Sequence, residues 1–422
     1  MKARPAFFAA AAGVELALLG AASAHGNFVQ HGEALIFVPL VLLAGVAFFC
    51  AVRCFETLPA GWHSRTLWAL AVALRIAMLP CAPGNDFLRY EWEGRVQNAG
   101  ENPYVLSPIA PELQRLRTES WPRINHPEVA AIYPPAAQFI FAAMTRVSTS
   151  PYWFKLVFIG ADLLTLALLL LLVNARTAAS YAWNPAVIYA FAGGAHYDSL
   201  MLLALTGAVV ALHRSNGSYS TNPRWQLASV LCLAVAISLK FVPAVLLPVW
   251  AFALGSRAWL LGLCAALPAA LTIPFEGIAA TLHPLRDFAD VTRFNELFVW
   301  IFPNPWQRNW PVTTLLIVAV AVIAVRLRRD WARSALWVTG TMLILSPVLH
   351  PWYATWILPL AIRRRQHAWT VLSVSALSAF FLWDTTALWT EWQPNLLTRA
   401  LVIVPPLLAW RLQSKSDEPA HC

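Results

Sequence analysis

The chain has 422 residues, of which 59% are hydrophobic and only 12% are charged, with a formal net charge of +9. Apolar runs recur along almost the whole sequence, which excludes an ordinary soluble enzyme and indicates an all-α polytopic membrane protein, a single integral membrane domain over 1–422. The arginines cluster in short loops between apolar runs, not on one face with interleaved aromatic residues, and this distribution argues against nucleic-acid binding.

The first predicted element is an apolar helix within "MKARPAFFAAAAGVELALLGAASAHG". The basic start and the small residues "ASA" are also typical of a secretory signal. The length of the apolar stretch and the presence of Glu15 within it favour a retained first helix, and cleavage is the alternative.

Loops rich in arginine and lysine are assigned to the cytoplasmic side of a bacterial inner membrane, because such loops are retained there. This assignment predicts 12–14 transmembrane helices with both termini in the cytoplasm. It predicts a large first outer loop over 85–135, a helix lying on the outer surface over 136–147, and a second outer loop over 276–310.

The stretch "NDFLRYEWEGRVQNAGENPY" (85–104) is unusually rich in charge for this chain. Spacings of three and four predict a juxtamembrane helix with one polar face, which carries Asp86, Arg89, Tyr90, Glu93 and Gln97. The segment after Gly100 ends this helix. A carboxylate at Asp86 is suited to accept a proton from a hydroxyl group or to bind a divalent cation. The alternative is a solvated surface helix with ordinary ion pairs.

Three later segments each consist of two short apolar arms joined by a polar turn, namely "GGAHYD" (193–198), "LKFVP" (239–243) and "HPWY" (350–353). The arms are too short for two full crossings, so each turn is predicted to lie below the outer membrane surface. Ordinary alternatives are a buried histidine with satisfied hydrogen bonds and a lysine that extends to the interface. Several polar groups on one side of a membrane nevertheless indicate a functional cavity.

The sequence contains no Walker loop, no GxGxxG after a strand, no GxSxG and no HExxH. It therefore gives no sign of nucleotide or redox machinery. An outward-facing membrane enzyme without such machinery needs an activated substrate in the outer leaflet. Lipid-linked sugar phosphates are such substrates, and lysine or arginine suits their phosphate.

The quoted segments, together with "YPPAAQ" (133–138), "WNPAVIYAFAGGAHYD" (183–198) and "SPVLHPWYATWILPL" (346–360), resemble in order the bacterial polyprenol-phosphate-mannose-dependent mannosyltransferases. These enzymes belong to the glycosyltransferase C superfamily, and the resemblance extends more loosely to the catalytic subunit of GPI mannosyltransferase I. It covers about residues 66–365. Two positions depart from the family pattern: Asn85 replaces a first acid, and Ala195 replaces a glycine before the histidine.

The resemblance implies a glycosyltransferase C fold and an inverting transfer of a hexose, expected to be mannose, from a polyprenyl-phosphate donor to a glycan, lipid or protein acceptor. Asp86 matches the family's essential acid and is the predicted catalytic residue. No metal ligand is assigned, although a divalent cation such as Mg²⁺ or Mn²⁺ is left open. The predicted substrate-binding residues are Arg89, Tyr90, Glu93, Arg95, Asn102, Tyr104, Tyr133, His196, Asp198, Lys240, His350 and Tyr353.

Two other functions are compatible with the same sequence. A transporter or flippase of a lipid-linked or anionic solute would also place charges within the membrane. A non-catalytic membrane subunit with a decayed site is the other alternative, because Asn85 has lost a carboxylate.

Overall fold

The computed structural model describes residues 3–28, 30–215, 222–297, 309–382 and 396–416. Within these ranges the protein is built from helices and contains no β-strand. The only pairing of extended backbone there is an isolated bridge between Phe294 and Val348. The predicted all-α class is therefore confirmed.

The helices follow one another closely along the chain. The first nine are α1 (Ala3–Ser23), α2 (Glu33–Phe55), α3 (His63–Met78), α4 (Asp86–Asn98), α5 (Pro135–Val147), α6 (Pro151–Leu169), α7 (Ala175–Ala182), α8 (Pro185–Ile188) and α9 (Asp198–Ser215). The later ones are α10 (Pro223–Leu239), α11 (Leu247–Leu254), α12 (Leu263–Leu271), α13 (Ile278–Val291), α14 (Trp310–Arg326), α15 (Trp331–Leu345), α16 (Leu358–Arg363), α17 (His367–Ser375) and α18 (Leu396–Ser416).

Several helical runs are long and apolar enough to cross a membrane, as the hydropathy predicts. In the described part of the chain four reach full length as single helices, namely Pro5–Ser23, Glu33–Phe55, Pro151–Leu169 and Leu396–Gln413, and a fifth run of sufficient length, Val242–Leu271, is interrupted at Gly255. Three apolar helices are shorter, namely Pro223–Leu239, Trp310–Arg326 and His367–Phe381. The total of 12–14 crossings and their orientation stay predictions.

The run over 242–271 reverses direction at Gly255, whose φ of 57° favours glycine. Just after this glycine, Arg257 donates to the side chain of Gln226 near the start of α10. Just after α12, Glu276 accepts a hydrogen bond from Asn102, which lies in the first polar loop (residues 85–135). The run therefore returns along α10 and forms two arms.

All three predicted turns are breaks between helices. Gly194–Tyr197 separate a π-helical turn from α9, Lys240 follows the end of α10, and residues 346–350 follow α15. α9 connects the two ends of the bundle. It starts at Asp198, beside these turns, and we call this the site end of the bundle. Near the other end of α9, which we call the opposite end, His213 contacts Arg363 at 3.2 Å.

α4 begins at Asp86, as predicted, but it is not a solvated surface helix. All six residues of Arg89–Gly94 are buried, and because they span more than one turn, the helix is covered on every side there. α4 packs so closely on α5 that a Cβ atom at Gly94 would lie only 2.5 Å from the carbonyl oxygen of Phe141. The alternative of a solvated surface helix is therefore wrong: the helix does carry ion pairs, such as Arg89 with Glu93, but they lie inside the protein.

Two contacts from α6, one to α3 and one to the residues just after α3, fix the segment that leads to Asp86. Arg75 donates to Asp162 at 2.5 Å, and both side chains are almost fully buried. Nearer the site end, the ammonium of Lys155 donates to the carbonyl oxygens of Leu79 (2.9 Å) and Cys81 (2.5 Å). A cation suits these carbonyls because the C-terminal end of a helix carries partial negative charge. The position of Asp86 thus depends on charges buried in α3 and α6.

Candidate functional site

Asp86 lies between a polar loop and the helix bundle. Its Oδ1 accepts a hydrogen bond from the amide of Asn125 at 3.4 Å, and its Oδ2 lies 3.6 Å from Nδ1 of His196. A quarter of the side chain is exposed. Burial raises the pKa of Asp86 to about 6, and the nearby charge of Lys240 opposes this rise only in part. The carboxyl group is therefore accessible and exchanges its proton near neutral pH.

Lys240 and Asp198 form a second charged group at the same place. The ammonium donates to Oδ1 of Asp198 at 2.7 Å, and Nε1 of Trp356 donates to the same oxygen at 2.7 Å. The ammonium also lies over the rings of Tyr197, Tyr353 and Trp356, 4.7–5.2 Å from their centroids. Such cation–π contacts add to the ion pair, so the charge of Lys240 is balanced before any ligand binds.

Four aromatic rings form a stack that runs from His196, beside Asp86, to Phe294 in the second polar loop (residues 276–297 of the described chain). Trp352 lies between His196 (centroids 3.6 Å apart) and His350 (4.5 Å), and His350 stacks on Phe294 (4.6 Å). Burial, with the charge of Lys240, lowers the pKa of His350 to about 3, so this ring is neutral at physiological pH.

The backbone of the second loop is joined to the same stack. Phe294 donates its N–H to the carbonyl of Pro347 at 2.9 Å, and its own carbonyl accepts from the N–H of Leu349 at 2.8 Å. The residue that follows Leu349 is His350. The stack therefore joins the turn after α15 to the segment that follows α13.

Several buried polar atoms in this cluster have no hydrogen-bond partner among the residues that the structure describes. They are both ring nitrogens of His196, Nδ1 of His350, the hydroxyl of Tyr197 and Oδ2 of Asp198. Buried polar atoms are normally paired, because an unpaired one costs about 1–3 kcal/mol. Their concentration around Asp86 and Lys240 is what a binding site for a polar molecule requires.

Arg89, predicted to bind substrate, instead uses its donors within the loop. Its guanidinium pairs with Glu93, at 2.8–2.9 Å, and donates to the carbonyl oxygens of His126, Val129 and Ala130, at 2.9–3.2 Å. These contacts engage all three nitrogens of the guanidinium group. Arg89 therefore holds residues 126–130, and this places Asn125 on Asp86.

The remaining predicted residues fall into two groups. The structure brings Tyr90 and Tyr133 to the cluster, where their rings lie 5.3 and 5.4 Å from that of Tyr197. Other residues lie along the first loop and are engaged there: Glu93 with Gln138, Arg95 with Glu91, Asn102 with Glu276, and Tyr104 with the carbonyl of Tyr133. These contacts indicate that the residues of the second group hold the first polar loop in place and do not contact a substrate.

Sequence reasoning missed four residues of the cluster, namely Asn125, Tyr197, Trp352 and Trp356. Tyr197 and Trp352 lie in the quoted turns and Trp356 lies three residues beyond "HPWY", so their aromatic character near His196 and His350 was a usable signal. Asn125 lies in "RINHPE", which has no distinguishing pattern.

The donor set does not fit a resident metal ion. Among the described residues no group of three or more His, Cys, Asp or Glu side chains is placed to hold one. Asp198 is engaged by Lys240 and Trp356, and the residue before Asp86 is the amide Asn85.

Comparison with known proteins gives no match: no family model, no curated protein and no solved structure is significantly similar to this chain.

Proposed function

We propose that this protein is a membrane glycosyltransferase that moves a hexose from a polyprenyl-phosphate donor to an acceptor hydroxyl, at the membrane face where Asp86 lies. One observation carries the proposal. Asp86 is a partly exposed carboxyl group with a pKa of about 6, and it borders a cluster of buried polar atoms that lack partners. A general base is most effective when its pKa is near the working pH.

In this reaction the acceptor oxygen attacks the anomeric carbon and gives its proton to Asp86. The bond between that carbon and the phosphate oxygen breaks, so the configuration is inverted and the lipid phosphate leaves with the bonding electrons. Lys240 is the cation beside Asp86 that can share its charge between Asp198 and this phosphate, because its contact with Asp198 uses one of the three N–H donors of an ammonium. The donors of Arg89, by contrast, are engaged in the loop. The neutral imidazoles of His196 and His350 offer hydrogen bonds at the same place.

The test is transfer of radiolabelled sugar from a polyprenyl-phosphate donor in membranes that contain wild type, Asp86→Ala or Asp86→Asn. We expect both variants to lose about 10²–10⁴-fold in rate at equal abundance, the range for loss of a general base. A matched control is Asp287→Asn on α13, which removes an exposed carboxylate with 68% side-chain exposure.

Transfer that survives both Asp86 substitutions would remove Asp86 from the chemistry. The transporter alternative is tested with the same donor in proteoliposomes. Movement of label across the bilayer without any labelled acceptor would replace the glycosyltransferase proposal with transport.

A further inference from the structure

A cavity of about 450 Å³ lies at the opposite end of the bundle from Asp86, where α14 turns into α15. It is lined by Val325, Arg326, Leu327, Arg328, Arg329, Asp330 and Arg333. Four of these seven residues are arginines, in a chain in which only 12% of residues are charged.

The single acid of the lining is already engaged. Asp330 caps the start of α15 by accepting from the backbone N–H of Arg333 at 3.0 Å, and its other oxygen pairs with Arg364 at 3.1 Å. In the described ranges none of the four lining arginines pairs with a carboxylate. Like charges that share a cavity repel one another, so this arrangement favours a bound anion.

An apolar surface continues from the cavity along α14. Ile317, Val318, Val322 and Val325 are each half or more exposed, and the arginines begin at the next residue, Arg326. A free phosphate would contact only the arginines of the cavity. A phospholipid would use both features, because its phosphate fits the guanidinium groups and its acyl chains fit the exposed face of α14.

We propose that this cavity binds the headgroup of an anionic phospholipid from the membrane leaflet at the opposite end, with the acyl chains along α14. Guanidinium groups suit this ligand because they bind phosphate oxygens in pairs. Arginine-rich loops are common in membrane proteins, and the difference here is that four arginines line one open depression bordered by an exposed apolar helix. The site is independent of glycosyl transfer.

The experiment compares the full-length protein with a triple variant, Arg326→Gln, Arg328→Gln and Arg329→Gln. A matched control, Arg65→Gln, Arg176→Gln and Arg224→Gln, removes three exposed arginines that do not line the cavity. Each protein is purified in detergent and titrated with phosphatidylglycerol, phosphatidylcholine or inorganic phosphate. Bound lipid is counted by native mass spectrometry, and Tm is measured in parallel.

We expect wild type and the control to retain phosphatidylglycerol and to gain Tm from it, with no gain from phosphatidylcholine or phosphate. The cavity variant should bind phosphatidylglycerol at least about tenfold more weakly, which corresponds to about one charge-assisted hydrogen bond. A second variant, Arg328→Lys with Arg329→Lys, keeps the charge and should lose part of this affinity.

Two results would overturn the proposal. Equal phosphatidylglycerol binding by the cavity and control variants would exclude the arginines as the site. An equal rise in Tm with inorganic phosphate alone would assign the cavity to a soluble anion. If the glutamine variant does not fold, unchanged binding by the lysine variant would still count against the guanidinium contacts.

Discussion

Nδ1 of His196 lies 3.6 Å from Oδ2 of Asp86, although the two residues are far apart in sequence. Asp86 follows α3, and His196 precedes α9. This contact joins the first polar loop to a turn of the helix bundle. Gly84 reinforces it, because its N–H donates to the carbonyl of Gly194 at 2.9 Å. The position of the Asp86 carboxyl group is thus set from both sides.

The first prediction concerns pH. Because Asp86 acts as a base only when ionised and burial raises its pKa to about 6, the transfer rate should fall as the pH drops through about 6. The measurement is kcat/KM of wild type against pH, with protein stability checked at each pH. A rate that stays constant across this range would show that Asp86 does not titrate in the reaction.

The second prediction concerns Asn125. Its hydrogen bond favours the ionised form of Asp86, so Asn125→Ala should raise the pKa of Asp86 and move the acidic limb of the rate profile to higher pH. The pH midpoint for carbodiimide labelling of Asp86, followed by mass spectrometry, should move the same way without any sugar substrate. Asn98→Ala, at the far end of α4, is the control.

The third prediction concerns Arg89, which supports Asn125. Arg89→Lys keeps the charge and loses most contacts to residues 126–130, so it should shift the same labelling midpoint upward. In the Asn125→Ala background it should add little, because both substitutions act through one hydrogen bond. Full additivity would instead indicate that Arg89 acts on Asp86 by another route.

Asn125 and Arg89 show which part of the site the sequence alone does not predict. The spacing in α4 predicted a helix from Asp86, and the short apolar arms predicted the three turns that bring His196, Lys240 and His350 together. The role of Arg89 was not predictable in the same way, since its partners are backbone carbonyls, and every residue has one. The burial of α4 also depends on α5, whose packing against Gly94 follows from tertiary structure.

The fourth prediction concerns the turn at Gly194. A Cβ atom there would lie 2.8 Å from Cδ2 and Nε2 of His196, so Gly194→Ala should displace the imidazole and cost about 1–3 kcal/mol. Transfer activity should fall with it. Gly160→Ala on α6 is a matched control, because the added methyl group would have no neighbouring side chain or other helix within 4 Å. Comparable loss in both variants would contradict the steric explanation.

The fifth prediction concerns the buried pair between α3 and α6. Asp162→Ala leaves the guanidinium of Arg75 without its carboxylate and should destabilise the protein by about 3–5 kcal/mol. Replacing both residues, as Arg75→Met with Asp162→Leu, should recover most of this loss. Breaking the exposed pair of Arg115 and Glu101 should change the free energy of unfolding by about 1 kcal/mol or less. The measurement is unfolding in detergent.

The backbone pairing of Phe294 with Pro347 and Leu349 has a mechanical consequence. The rings of Phe294, His350, Trp352 and His196 form one continuous column, so a displacement of the segment after α13 is transmitted along it to the neighbour of Asp86. Lengthening residues 292–297 by an insertion would therefore tilt the imidazole of His196, and a loop remote in sequence acts as part of the same rigid frame.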